Sequence, residues 1–296
     1  MSAQTDDHVI FATGSSKAVA DFRDYTAVSP RQAVVLDHYQ QMRQKQTVEF
    51  VRRMQTKYSF SSPRCTMTIA EAFHALTEYV DCSDPDLSLP NIIHSYQTAE
   101  AIRKAGKPDW MQLVGLIHDM GKIMYLWGTP EDGQQGTADG RQWALGGDTF
   151  VVGCALPDCC VFPEFNKLNP DSTNELYSTQ NGMYQPGCGL SNVLFAYGHD
   201  EYLFQMLKAN NCTLPEEAMY MVRFHSAYPW HTGRAYQHLE DAHDREMMPH
   251  VLEFNKFDLY TKDELGQLSR EEADTLWPYY EGLIAKYFPD PTFLKW

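Results

Sequence analysis

Residues 113–122 read LVGLIHDMGK, and they decide the fold because they put an adjacent histidine and aspartate, His118 and Asp119, inside an apolar helical run. Leu113, Val114 and Ile117 recur at helical spacing behind Asp109, a residue suited to opening a helix. A charge buried among such neighbours costs on the order of several kcal/mol unless something compensates it. A cation is that compensation. Adjacent side chains on a helix point about 100° apart, so the doublet suits a shared cluster in which the carboxylate bridges two cations and the imidazole binds one.

Further metal-competent side chains lie on either side. His94 sits 24 residues upstream, on a helix that Asn91 opens and that runs through Ile102 with Gly106 past its end. One antiparallel hairpin brings His94 and His118 level. His199 and His225 are 26 residues apart on two further helices, with Asp200 beside the first, and the same hairpin geometry applies. Asp258 arrives from another helix. A lone histidine on an apolar face is more often a hydrogen-bonded structural residue, and His8, His38, His74, His231, His238, His243 and His250 take that reading. The others divide between two cations: His94, His118, Asp119 and Asp258 around one, with Asp119, His199 and His225 around the second.

The rest of the chain predicts a mainly α protein, a helical bundle with one small β-hairpin and long loops. Ser29 and Pro30 start a long helix whose apolar face carries Val35, Tyr39, Met42, Phe50, Val51 and Met54. Thr68 and Glu71 form a capping box for a helix ending near Asp81. Residues 128–141 are a Gly- and Asp-rich loop, and the stretch from Trp143 to Gly189 holds at most the hairpin. Helical signals return over Asn192–Asn210, behind a second capping box of Thr213 and Glu216, over Met247–Tyr260, and behind Ser269 with Glu272. Residues 1–20 read as a flexible tail and 21–296 as a single domain.

Composition narrows the function. A formal charge of -15 works against binding a phosphate backbone, so no nucleic-acid partner is expected. The N-terminus lacks the cationic and apolar stretches of a secretory signal and nothing approaches a membrane span, which together predict a cytoplasmic protein with no membrane partner. Seven cysteines, an odd number with no CxxC pair, predict neither a disulfide framework nor a thiolate metal site.

The order of His94, the His118–Asp119 doublet and Asp258 resembles the HD-domain superfamily. A closer resemblance, to the myo-inositol oxygenase family, lies in the runs HDMGKIMYLWG (118–128), GDTFVVGC (147–154), GMYQPGCGL (182–190), YGHDEYLFQMLK (197–208), VRFHSAYPWHTG (222–233) and EFNKFDLYTK (253–262). It extends from Asp21 to the C-terminus. The resemblance implies two iron ions, as an Fe(II)/Fe(III) pair, held by His94, His118, Asp119, His199, His225 and Asp258 with Asp119 bridging, and dioxygen as co-substrate. It implies a polyol site lined by Arg23, Asp81, Cys82, Ser83, Lys122, Gly147, Asp148, His225, Ser226 and Lys262, although Cys82 stands where the family pattern leads us to expect a carboxylate.

Lys122 lies one helical turn past His118, where its charge would lower the pKa of a bound hydroxyl, so Lys122 and Asp119 are the candidate catalytic residues. The expected reaction is ring cleavage of myo-inositol to D-glucuronate by a monomer. Two other readings remain open: a metal-dependent phosphohydrolase on the same scaffold, and a non-catalytic polyol- or metal-binding protein.

Overall fold

The computed structural model describes residues 23–26, 31–85, 90–136, 141–260 and 270–296. The expected tail 1–20, Ser29, Pro30, Lys262 and Ser269 lie outside these. The described chain is mainly α-helical. No helix among the described residues is long and apolar enough to cross a membrane.

The long N-terminal helix is two helices, α1 (Gln32–Lys45) and α2 (Val48–Lys57). The break falls at Gln46 and Thr47. Thr47 turns its side chain onto the Phe50 amide and caps a new helix. Gln46 is fully buried, donating to the Trp143 and Tyr197 carbonyls and accepting from the Tyr197 amide. Satisfying that amide in the core fixes the corner between the helices, and also pins the segment that leads into His199.

The Thr68–Glu71 capping box forms as expected and starts α3, which ends earlier than expected (Ile69–Ala75). Helices α4 (Asn91–Lys104) and α5 (Asp109–Ile117) then pack as a hairpin. Contact is close because Gly115 faces Ala99, where an added Cβ would lie 2.9 Å from the Ala99 Cα.

Residues 141–198 contain short 3₁₀ turns and an isolated bridge between Val151 and Phe195, not the expected hairpin. The only ladder among the described residues joins distant parts of the chain: β1 (Thr66–Met67) runs antiparallel to β2 (Leu294–Lys295). Helix α6 starts at His199, later than expected, and ends at Ala209. Helix α7 (Glu216–Phe224) lacks the predicted capping box, because Thr213 instead bonds the Tyr287 carbonyl.

A short α8 (Tyr228–His231) leads to α9 (Ala242–Tyr260) and α10 (Arg270–Tyr287). Helix α9 packs on α4, α5 and α7, bringing the two hairpins around one centre. Phe254 of α9 is wholly buried between His118 and His225, worth roughly 1.5–3 kcal/mol in apolar burial. Helix α10 clamps the outside of the α4–α5 hairpin through tyrosine hydroxyls: Tyr280 to Glu100, Tyr279 to Gln112 and Tyr287 to Asp109.

Candidate metal centre

Each hairpin supplies one histidine from the start of its first helix and one from the end of its second. His94 lies in the first turn of α4 and His118 is the C-cap of α5. His199 opens α6 and His225 is the C-cap of α7. Asp258 comes from the last turns of α9.

Asp119 does not extend α5 as the helical reading supposed. It heads a 3₁₀ turn, Met120–Leu126. That turn lies tight against the chain entering α6, since a Cβ on Gly121 would fall 1.9 Å from the His199 carbonyl oxygen. Gly121→Ala should therefore cost about 1–3 kcal/mol in thermal stability, and should weaken metal retention by displacing His199. Calorimetry and metal analysis of the variant would check both.

The six side chains converge. None is more than 6% exposed. Asp258 Oδ1 lies 2.9 Å from His94 Nε2 and 3.4 Å from His118 Nε2. Asp119 divides its oxygens: Oδ1 lies 3.1 Å from His199 Nε2 and 4.0 Å from His225 Nε2, while Oδ2 lies 3.5 Å from His118 Nε2. His94, His118 and Asp258 form one set of candidate metal ligands, and His118, Asp119 and His225 another. Asp200 stays out of the cluster. Its carboxylate accepts from the Glu201 amide and the Thr149 hydroxyl, and burial pushes its pKa up to about 6.

Whether a cation fits can be read from the protons. His118, His199 and His225 each use Nδ1 to donate to a backbone carbonyl: Gly115 at 2.9 Å, Leu145 at 2.6 Å and Val222 at 2.9 Å. In the neutral imidazole that bond fixes the tautomer and leaves the lone pair on Nε2, where a metal ion would bind. The Nε2 atoms of His199 and His225 stand 2.9 Å apart. Two lone pairs facing each other at that separation repel unless a proton or a metal ion lies close by. His118 Nε2 makes no hydrogen bond although it is wholly buried.

The electrostatics agree. Burial, with His199 and His118 nearby, pushes His225 down to about 3, so it is a neutral donor at ordinary pH. Burial alone would do the same to His118, but the Asp119 and Asp258 carboxylates overcome it and raise its pKa. Burial opposes charge on Asp119 too, yet Lys122 and His118 hold it well below the usual carboxylate range. Buried imidazoles with carboxylates beside them, and no thiolate in the described cluster, form a donor set suited to iron or a similar ion of intermediate hardness.

Beside the cluster opens a cavity with about 670 Å³ of empty space, its open mouth included. Of the expected polyol residues, Arg23, Asp81, Ser83 and Lys122 line it, as do Gly147, Asp148, His225 and Ser226. Cys82 does not; it is buried behind the wall, its amide held by Gln142. Arg23 pairs with Asp148 at 2.5 Å and lies 3.4 Å over the Tyr228 ring.

Lys122 pairs with Asp119. With three residues per 3₁₀ turn it comes back over Asp119, reaching Asp119 Oδ2 at 2.9 Å, Asp81 Oδ2 at 2.7 Å and Asn91 Oδ1 at 2.9 Å. The sequence reading did not place Tyr25, Tyr39, Asn91 and Tyr228 in this wall, where the structure finds them. Tyr39 and Asn91 read as ordinary helix residues. Tyr228 stands inside a quoted run and could have been noticed, three residues after His225.

The model of the family described as myo-inositol oxygenase matches residues 32–296. The chain is also similar to the inositol oxygenase of Mus musculus, 50% identical over 277 residues that cover 93% of this chain and 91% of the relative. Inositol oxygenase of Rattus norvegicus is 49% identical over 284 residues, covering 95% and 93%. Inositol oxygenase 4 of Arabidopsis thaliana is 41% identical over 292 residues, covering 98% and 87%. A family match that spans both histidine hairpins, with identities this high over most of the chain, shows that the chain belongs to the myo-inositol oxygenase family.

Proposed function

We infer that the chain cleaves the ring of myo-inositol with dioxygen, giving D-glucuronate, at a pair of iron ions. His94, His118 and Asp258 would hold one ion and His199 with His225 the other, Asp119 serving both. The observation that carries this is the division of Asp119, one oxygen toward the His199–His225 pair and the other toward His118. Bound there, the iron pair would supply the redox capacity and Lewis acidity for a four-electron oxidation by one O2, with one oxygen atom ending in the carboxylate and the other in water.

The chain's own part is to bind, orient and hold protons. Asp81 and Asp148 are fixed acceptors for ring hydroxyls, the first held by Lys122 and Ser83 and the second by Arg23 and Tyr39. Burial opposes ionisation of Asp81, but the Lys122 ammonium holds its pKa well below the usual range, so it stays ionised and can only accept hydrogen bonds. Ser226 Oγ, 3.5 Å from His199 Nε2, stands where the cavity meets the cluster. The two cations in the described wall, Arg23 and Lys122, are each paired with carboxylates. That wall suits a neutral polyol better than a phosphate ester, which needs cations to spare.

The test is anaerobic purification with iron, then oxygen uptake on adding myo-inositol while glucuronate is followed. One glucuronate should appear per O2 consumed. Hydrolysis of a phosphomonoester at the same rate without oxygen would favour a phosphohydrolase, and inositol binding without oxygen uptake would reduce the chain to a binding protein.

A further inference from the structure

Asn91 stands where the cavity wall meets the Lys122 ion pairs. It is the first residue of α4, it lines the cavity, and it is 5% exposed. Its side-chain oxygen accepts from Lys122 Nζ at 2.9 Å. An ammonium group carries donors only, so the atom facing it must be Oδ1. The amide nitrogen therefore faces the other way. Its two N–H groups have no protein partner among the described residues, whereas the Asn91 backbone amide donates to the Tyr79 carbonyl and its carbonyl accepts from Ser95.

Donors left without a protein partner in a cavity wall are open to a ligand hydroxyl or to water. Lys122 is placed the opposite way. Its three N–H groups are already directed at Asp81, Asp119 and Asn91, so a ring hydroxyl can take a bond from Lys122 only by sharing or displacing one of them. In the wall around Lys122, then, the idle donors belong to Asn91.

We propose that Asn91 is a polyol-binding residue, its Nδ2 donating to one ring hydroxyl while its Oδ1 fixes the third N–H of Lys122. A hydroxyl that accepts from Nδ2 keeps its own proton to give to a carboxylate. Asp81 lies near enough to receive it, since Asp81 and Asn91 both bond the same ammonium. This selects a ring carrying a hydroxyl at that position and orients it relative to Asp119 and the histidines. The inference rests on the cavity being the polyol site.

The test compares iron-loaded wild type with Asn91→Asp, which keeps the acceptor for Lys122 and removes the donor, on myo-inositol and its monodeoxy analogues. Asn91→Asp should raise KM for myo-inositol about tenfold or more, with a smaller effect on kcat. One deoxy analogue should lose far less in the variant than in the wild type, because the hydroxyl that met Asn91 is already missing. If the KM is unchanged, or every analogue loses the same factor in both proteins, Asn91 does not bind the ring. If Asn91→Asp fails to fold, Asn91→Ala should show the same non-additivity. A wild type that neither binds nor turns over myo-inositol would instead overturn the polyol reading itself.

Discussion

Replacing Asp119 with alanine should remove both iron ions together and lower oxygen uptake by at least about two orders of magnitude, more than the roughly 10–100-fold cost of losing an outer partner of a metal site. The reason is geometric. Oδ1 lies 3.1 Å from His199 Nε2 and Oδ2 3.5 Å from His118 Nε2, so this one carboxylate reaches a histidine of each hairpin. On the proposed assignment, one ion would then keep His94, His118 and Asp258 and the other only His199 and His225, with no shared anion to tie them. His94→Ala should behave differently, weakening chiefly the ion nearer α4. Iron content per chain, measured beside activity for both variants, separates the cases. If Asp119→Ala retains one ion at full occupancy, the shared carboxylate is not the keystone of the site.

The centre was legible in the sequence because its logic is local. Two histidine pairs spaced 24 and 26 residues apart, each one hairpin's length, and an acid among apolar neighbours need only helix periodicity and the cost of burying charge to be noticed. What escaped depends on contacts between distant segments. The α1–α2 break at Gln46 is decided by Trp143 and Tyr197, which lie 97 and 151 residues away. The two-stranded sheet joins residues near 66 to residues near 295. Thr213 and Glu216 have the spacing of a capping box, yet the hydroxyl bonds Tyr287 from the other end of the chain.

The sequence marks Lys122 as part of the site but not its ion pair with Asp119, because a switch from α to 3₁₀ geometry changes which residue lies one turn back. Asn91 shows the same limit. The sequence marks it as a helix start, and only its contact with Lys122 fixes which way its amide points.

Lys122→Met should be the most destabilising single change in the cavity wall and should reverse the pH dependence of stability. The ammonium is 5% exposed and lies between Asp81 and Asp119. Removing one partner of a buried pair costs about 3–5 kcal/mol, a large part of the roughly 5–15 kcal/mol that holds a domain together. In the wild type, burial raises the pKa of Asp81 and Lys122 lowers it, and the lowering wins. A depressed carboxylate contributes stability that is present above its ordinary pKa, about 4, and is lost as pH falls through the depressed value.

Without Lys122, burial, which is the largest influence on Asp81, and the neighbouring Asp119 charge both raise its pKa, opposed by the Ser83 hydrogen bond. The folded variant then binds protons that the unfolded chain releases, so its stability rises as pH is lowered from 7 toward 5. Melting of the metal-free proteins across that range should show the variant gaining while the wild type stays level or falls. Lys122→Met combined with Asp81→Asn should recover part of the loss at pH 7, since one of the stranded charges is gone. An equal deficit at both pH values, with no recovery in the double variant, would mean that Lys122 acts through packing and not through its charge.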